Sequence, residues 1–526
     1  MIIKQKILII ILFFFFLIIP NIFSNIEKQK KYFKENLNNN INLKYSSIIN
    51  NVNQNYKKIK IENDVLSLII NTNGGIIEEA KLLKYKKELN SSELFKVLET
   101  NNKFIYQIKN GLIKKQYIFN NFNKIINPKF KVEKEKNSII NNKNYISVPM
   151  YYKDNNNNIL IKTFILKRNC YKIKIIDTFI NNNITPIKLS YFGQIKQNIN
   201  LPKYINNNII NKNFRGIAYS LNSEKYKQIT FKDNIKLNIN FKYGWIAMLQ
   251  KYFVTSIMPI NKINKVLYNE KINHNIYTIG LQSNFINIKP FEIKNYKTAL
   301  WIGPKLQNDM EILSPYLIKT INYGFLWFIS KPLFKILVLI NNIINNWGFS
   351  IILITVFLRI IMLPISKFQY IYLKKIKMLN PKIKKIKKKY KNNSHILNSK
   401  ILKLYKINNI KPLLGLIPLL IQMPIFLSLY NILMESVELR HTKFLFWIND
   451  LSSKDPYFIL PILLSLTMYY TQKTSFINKK DSFNKNIINY IPVFISILFF
   501  WFPSGLIIYY IINNIFIILQ QKIYFK

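Results

Sequence analysis

The sequence predicts a polytopic α-helical membrane protein of six spans, five of them in a C-terminal core, with a mainly-β domain between the first span and the rest. Three observations lead there. Apolar runs of spanning length stand at residues 7–23 and again through roughly the last 200 residues. From about 57 to 320 no run is long enough, and short β-branched and aromatic stretches alternate with Asn, Gly and Lys. The loops after 346 differ in charge, which sets the direction of the helices.

The chain carries a net charge of +53. Lys, Asn, Ile, Phe and Tyr are abundant together while Arg, Gly and Ala are scarce, a mixture that AT-biased coding produces at surface positions without functional demand. The total charge is therefore no evidence of a nucleic-acid partner, no DNA partner is expected, and only local charge contrasts carry meaning. The single cysteine, Cys170, excludes an internal disulfide and a multi-Cys metal site. His274, His395 and His441 are far apart. P-loop, dinucleotide, zinc-protease and nucleophile-elbow signatures are absent. Nothing recommends an enzyme, and no cofactor or metal is expected.

Taken in order, residues 1–24 read as an uncleaved anchor, because the apolar run follows Lys4 and Lys6 and no small-residue cleavage site follows it. A cleaved signal peptide is the alternative. Residues 25–56, rich in Asn and Lys, read as a tether. The β domain is set at 57–320. Within it "DVLSLIINTNGGIIEEAKL" (64–82) reads as strand, turn, strand, with Asn73-Gly74-Gly75 supplying positive-φ positions. Similar pieces recur at 103–119, 159–180 and 236–259.

Core spans are expected at about 346–366, 412–434, 457–472, 487–502 and 505–521. Residues 325–345 are interrupted by Lys331, Pro332 and Lys335, and read as an amphipathic helix on the outer interface. Loop charge supports that parse. Between 367 and 411 lie fifteen Lys and no acidic residue, whereas 436–456 carries three of each sign. Taking 325–345 as a span would put the fifteen Lys outside, against the bias of short loops. Both termini then lie inside. The Lys-rich segment 367–411 has apolar residues at helical spacing on either side of "KNNS", so it reads as a cytoplasmic helical hairpin with Pro381 kinking or restarting its first arm. Anionic lipid heads or ribosomal RNA would suit its charge.

One residue interrupts the apolar stretch "IILITVFLRIIMLP" (351–364): Arg359. On a straight helix it stands about 12 Å inward from Lys367. A central Arg costs at least ~2.5–3.5 kcal/mol on insertion scales. A snorkelling side chain would lower that cost. Other polar groups point instead to a wet interior: Thr355 on the same helical face, then Gln422, Thr467, Asn489, Ser496, Tyr509, Tyr510, Asn513 and Asn514 in the later spans. Helix-to-helix hydrogen bonding is the alternative for each taken singly. No Asp or Glu of these core spans is placed to neutralise Arg359, so a hydrated cavity is inferred.

Four stretches closely resemble the YidC/Oxa/Albino family of membrane protein insertases. They are "NWGFSIILITVFLRIIMLPISKFQY" (346–370), "NIKPLLGLIPLLIQMPIFLSLYNILMESVELR" (409–440), "FWINDLSSKDPYFILPILLSLTM" (446–468) and "LFFWFPSGLIIYYIINNIFIILQQ" (498–521). The likeness extends into the outer domain through "FRGIAYS", "GWIAMLQKYFVTSIMP" and "LWIGPKLQNDMEILSPYL". The large outer domain points to the Gram-negative form, in the cell inner membrane. The resemblance implies a β-supersandwich outside. It also implies a hydrophilic groove open to the cytoplasm and to lipid, whose arginine falls on Arg359 and whose substrate-facing positions include Thr355 and Tyr510. Gln422, Tyr509 and Asn513 complete the expected groove. Lys374, Lys375, Lys384, Lys385 and Lys388 mark the docking hairpin. Nascent membrane proteins, the Sec translocon, the ribosome and the signal-recognition targeting machinery are the implied partners. Two departures bear on ribosome and receptor docking: the sequence stops at Lys526 without the family's basic tail, and the hairpin lacks the usual acidic residues.

The expected activity is insertion and chaperoning of nascent membrane proteins without nucleotide hydrolysis. A channel or secondary transporter with a hydrated cavity is the alternative, although no repeated halves and no intramembrane carboxylate are seen. A membrane-anchored outer binding protein is a third class, which would leave Arg359 without a purpose.

Overall fold

The computed structural model describes residues 57–115, 123–139, 143–199, 215–222, 225–231, 233, 235–272, 275–390, 394–408, 417–474 and 485–525. The expected anchor and tether, 1–56, lie outside them. The described chain divides into two compact units. One is the β unit (57–83, 96–249 and 255–318); the other is helical and takes in 319–525 together with 84–95 and 250–254.

In the β unit, two antiparallel-rich sheets of twelve and eight strands carry the structure. The strand Lys58–Glu62 shows the logic: Ile59 and Ile61 are buried while their Lys and Glu neighbours are not, the period of two that a half-buried strand imposes. Leu66–Asn71 pairs antiparallel with Ile76–Lys86 across the expected turn. Gly74 and Gly75 take φ of 82° and 65°, which a side chain disfavours. Asn73 does not share that conformation. Gly75 has a second reason to lack a side chain, because a Cβ there would lie 2.7 Å from Cδ of Lys162.

The piece expected at 159–180 is a hairpin of Ile159–Lys167 and Lys172–Ile180. That at 103–119 is one strand, Ile105–Lys115, its end lying outside the described residues. The piece at 236–259 resolves into three strands, Asn238–Phe241, Gly244–Leu249 and Phe253–Pro259.

Side chains of the two sheets meet across a shared core. Thr298 donates its hydroxyl proton to the Tyr191 oxygen at 2.8 Å, and Tyr191 stacks on Tyr296 with ring centroids 5.8 Å apart. Within that core lies an ion pair. Lys162 Nζ stands 2.7 Å from Asp177 Oδ1, with both side chains 1% exposed. Lys162 also donates to the Asn110 carbonyl at 3.0 Å, and Asn110 Nδ2 donates to Asp177 Oδ2 at 3.0 Å, which closes the network. A second buried cation, Lys265, donates to three backbone carbonyls, those of Asn261, Ile263 and Lys242, at 2.7, 2.8 and 3.0 Å. Burial pushes its pKa down to about 8.

Helix α1 (Gln307–Leu313) follows the last strand. The helical unit then contains α2 (Trp327–Ile344), α3 (Trp347–Ile361), α4 (Leu363–Lys389), α5 (Ser394–Ile407), α6 (Ile417–Glu435), α7 (Ile459–Thr474), α8 (Lys485–Leu498) and α9 (Ser504–Phe525). The junction of α2 and α3 follows from two asparagines. Asn345 takes φ of 56° at the C-cap, which Asn tolerates, and the Asn346 side chain accepts hydrogen bonds from the Gly348 and Phe349 amides at 2.9 and 3.2 Å. Gly348 admits the Phe444 ring, which a Cβ would meet at 2.0 Å.

The first core span departs from expectation. It is not one straight helix over 346–366: α3 ends at Ile361, and α4 leaves at 54° to it. Pro364, in the first turn of α4, has no N–H for the Ile360 carbonyl, so the α3 ladder cannot run through it. By contrast α4 continues past Pro381 as one helix to Lys389, so the hairpin's first arm is not restarted there.

Length and composition make 324–344 and 504–523 able to cross a membrane, as does the bent α3–α4 pair. Helices α7 and α8 have 16 and 14 residues, fewer than the ~20 that a 30 Å hydrocarbon layer asks for. Because 324–344 passes that test, its expected place on the interface rests on loop charge.

Candidate functional site

Three helices bring the candidate groove residues together. Arg359 lies in the last turn of α3, where the helix dipole favours a cation. Gln422 comes from α6, and Tyr509 and Asn513 from α9, one turn apart. The bend after Met362 shortens the distance from Arg359 to Lys367, projected along α3, to about 9 Å.

Arg359 is 5% exposed, so its side chain is enclosed by protein and does not reach out to the surface. Its Nε donates to Asn513 Oδ1 at 2.5 Å, and Nη2 donates to Gln422 Oε1 at 3.4 Å, a long and weak bond. Gln422 also meets the Tyr509 hydroxyl, and Tyr370 of α4 lies within electrostatic reach of the cation. Among the described residues no carboxylate pairs with Arg359, and two of its five N–H donors are used. Amide oxygens carry partial charge only. They orient the guanidinium without neutralising it.

Thr355 and Tyr510 are placed differently. Thr355 is 1% exposed, and its hydroxyl donates to the Ile351 carbonyl of its own helix at 2.6 Å. Tyr510 is half-buried among rings, edge-on to Phe426 at 5.0 Å and to Phe499 at 5.1 Å. The structure thus brings Arg359, Gln422, Tyr509 and Asn513 into one polar cluster, with Thr355 behind Arg359 on α3 and Tyr510 on an adjoining aromatic face.

Other polar residues of the spans hold helices together. Asn514 donates to the Thr467 hydroxyl at 3.1 Å, and Ser496 to the Pro461 carbonyl at 3.0 Å. Sequence reasoning missed Tyr370, which it read as part of the hairpin. Its helical spacing from Ser366, four residues earlier and also buried, was the available signal.

The basic hairpin is two helices, α4 and α5, zipped by apolar residues: Leu379 and Ile383 of the first pack against Ile401, Leu404 and Tyr405 of the second. Lys375 and Lys385 are exposed. The side chains of Lys374, Lys384 and Lys388 lie outside the described ones.

Two family models match consecutive parts of the chain. Residues 58–336 match the family model described as the YidC periplasmic domain, and residues 339–526 that described as the 60Kd inner membrane protein. The membrane protein insertase YidC of Buchnera aphidicola subsp. Acyrthosiphon pisum (strain APS) is 45% identical over 495 residues, covering 92% of this chain and 93% of that protein. Its counterpart in Buchnera aphidicola subsp. Schizaphis graminum (strain Sg) is 44% identical over 484 residues, 90% of each. A solved structure of an active YidC insertase with its first transmembrane domain resolved aligns over 89% of this chain and 92% of that one, at 17% identity and a TM-score of 0.38.

Proposed function

We propose a groove mechanism for this chain, which belongs to the YidC family of membrane protein insertases and inserts nascent proteins into the inner membrane. The observation that carries it is Arg359: a buried guanidinium oriented by Asn513 and Gln422, with no carboxylate partner among the described residues. A fixed charge in that position needs water or an anion. The polar cluster therefore lines a hydrated groove, open to the cytoplasm, into which a polar segment of the substrate enters without meeting lipid tails. Acidic residues of that segment are drawn toward Arg359. The substrate's apolar helix moves into lipid beside the groove, releasing ~25 cal/mol per Å² of apolar surface buried. The membrane potential, positive outside, adds ~2.3 kcal/mol per negative charge carried fully across 100 mV.

The topology that fits this reading has both termini and the Lys-rich hairpin in the cytoplasm, six spans, and residues 325–345 lying on the outer interface. The hairpin's exposed lysines suit anionic lipid or ribosomal RNA. The Sec translocon, the ribosome and the targeting receptor are proposed partners, reached from the family and from the hairpin's charge.

Replacing Arg359 with Glu tests the mechanism. Insertion of a substrate with an acidic translocated tail falls about tenfold or more, whereas Arg359→Lys loses less because it keeps the charge and gives up only the forked donors. Unchanged insertion by the Glu variant would refute the electrostatic role.

A further inference from the structure

The groove reading leaves Gln520, a buried polar residue of α9, unused. Gln520 is 3% exposed, yet neither its Oε1 nor its Nε2 has a hydrogen-bond partner among the described residues. A buried amide missing both partners is unfavourable, and water or a ligand group meets it during function. Its position indicates which ligand. At 100° per residue, Tyr509, Asn513 and Gln520 fall within about 40° of one another, so they form one stripe along α9. Asn513 holds the guanidinium on that stripe. Gln520 lies two turns further on, about 10 Å toward the end of α9 that is cytoplasmic in the topology proposed above. On the neighbouring stripe, Asn514 ties α9 to α7 through Thr467.

We infer that Gln520 is a substrate-positioning residue at the inner end of the groove, where its amide takes a peptide group of the incoming polar segment. This rests on the groove reading and deepens it by naming the group recognised. A carboxamide offers one donor face and one acceptor face, as a peptide unit does, so it binds an extended backbone whatever the side chains are. Arg359, further in, then acts on charge. The two stations divide the work: Gln520 holds any polar segment at the entrance, and Arg359 favours acidic ones.

Gln520→Leu tests it in the full-length protein, because leucine keeps the volume and removes the amide. The variant folds and accumulates at least as well as the parent, since an unsatisfied group has been removed. Its insertion of a substrate with a long uncharged polar tail falls about fivefold. A substrate with the same apolar helix and almost no tail inserts as before. Gln520→Asn, which keeps the amide, recovers part of the loss. A photo-crosslinker at position 520 captures the polar segment of a stalled nascent chain. Full insertion of the long-tail substrate by Gln520→Leu, with Arg359→Glu still defective, would overturn the assignment and leave the groove standing. Normal insertion by both variants would remove the groove as well.

Discussion

The β unit and the helical unit each bury a cation, and they treat it in opposite ways. Lys162 sits between two sheets with a carboxylate 2.7 Å away and an asparagine that bonds to both partners. Arg359 sits among helices with two amide oxygens and no carboxylate among the described residues. A cation neutralised in place has nothing left to offer a partner; it specifies how two sheets register. A cation that is oriented without being neutralised keeps its field for whatever anion arrives. Burial alone does not mark a functional charge. Lys162 and Arg359 differ in the acceptors around them, and Lys265, held by three backbone carbonyls, shows that the lack of a carboxylate does not by itself mark function either.

That contrast is sharpest if the structural cation fails when its counter-ion fails. Lys162→Met leaves Asp177 buried and unpaired, and destabilises the β unit by about 3–5 kcal/mol, read as a lower urea midpoint for the full-length protein. Adding Asp177→Leu to that variant recovers most of the loss. No recovery would mean that the pair does more than cancel its own charges. The same substitutions leave the selectivity for acidic substrate tails unaltered.

A smaller effect of the same origin is expected at the turn. Gly75→Ala forces a side chain into φ of 65° and places its Cβ against the Lys162 stem, for a loss of roughly 1–3 kcal/mol. Asn73→Ala, outside the positive-φ pair, costs less.

Lys265 gives the weakest and most conditional effect. Its folded pKa, about 8, lies below the ordinary lysine value, so between about 8 and 10.5 the unfolded chain binds more protons than the folded one. Stability of the β unit therefore rises with pH across that window, and below pH 8 this contribution is absent. Unfolding midpoints measured from pH 7 to 10 should show the rise in the parent and lose it in Lys265→Met. A flat parent profile would indicate that the three carbonyls hold the proton firmly enough to cancel the effect of burial.

How much of this the sequence could carry follows from particular residues. The hairpin at Gly74-Gly75 was legible because glycine pairs between β-branched runs have few other uses. Arg359 was legible because a guanidinium in an apolar run is rare. The bend after Met362 was written in Pro364, but the apolar run continued through it and hid the break. Lys162 could not be singled out: in "ILIKTFILK" it reads as one more outward lysine, and only the pairing of that strand between two others, with a second sheet facing it, buries both of its faces. Gln520 and Gln521 look alike in sequence. Only the packing of α9 separates them, leaving the Gln520 amide without a hydrogen-bond partner among the described residues. Charges that depend on long-range contacts stay hidden, whereas those that violate their local surroundings do not.

The central claim is that Arg359 acts on the substrate by its charge. The most direct measurement is a reciprocal swap: insertion of two matched substrates, one with an acidic and one with a basic translocated tail, by the parent protein and by Arg359→Glu. Attraction to an unneutralised charge predicts that the parent inserts the acidic tail better and that the Glu variant reverses the order. The same order in both proteins would contradict it.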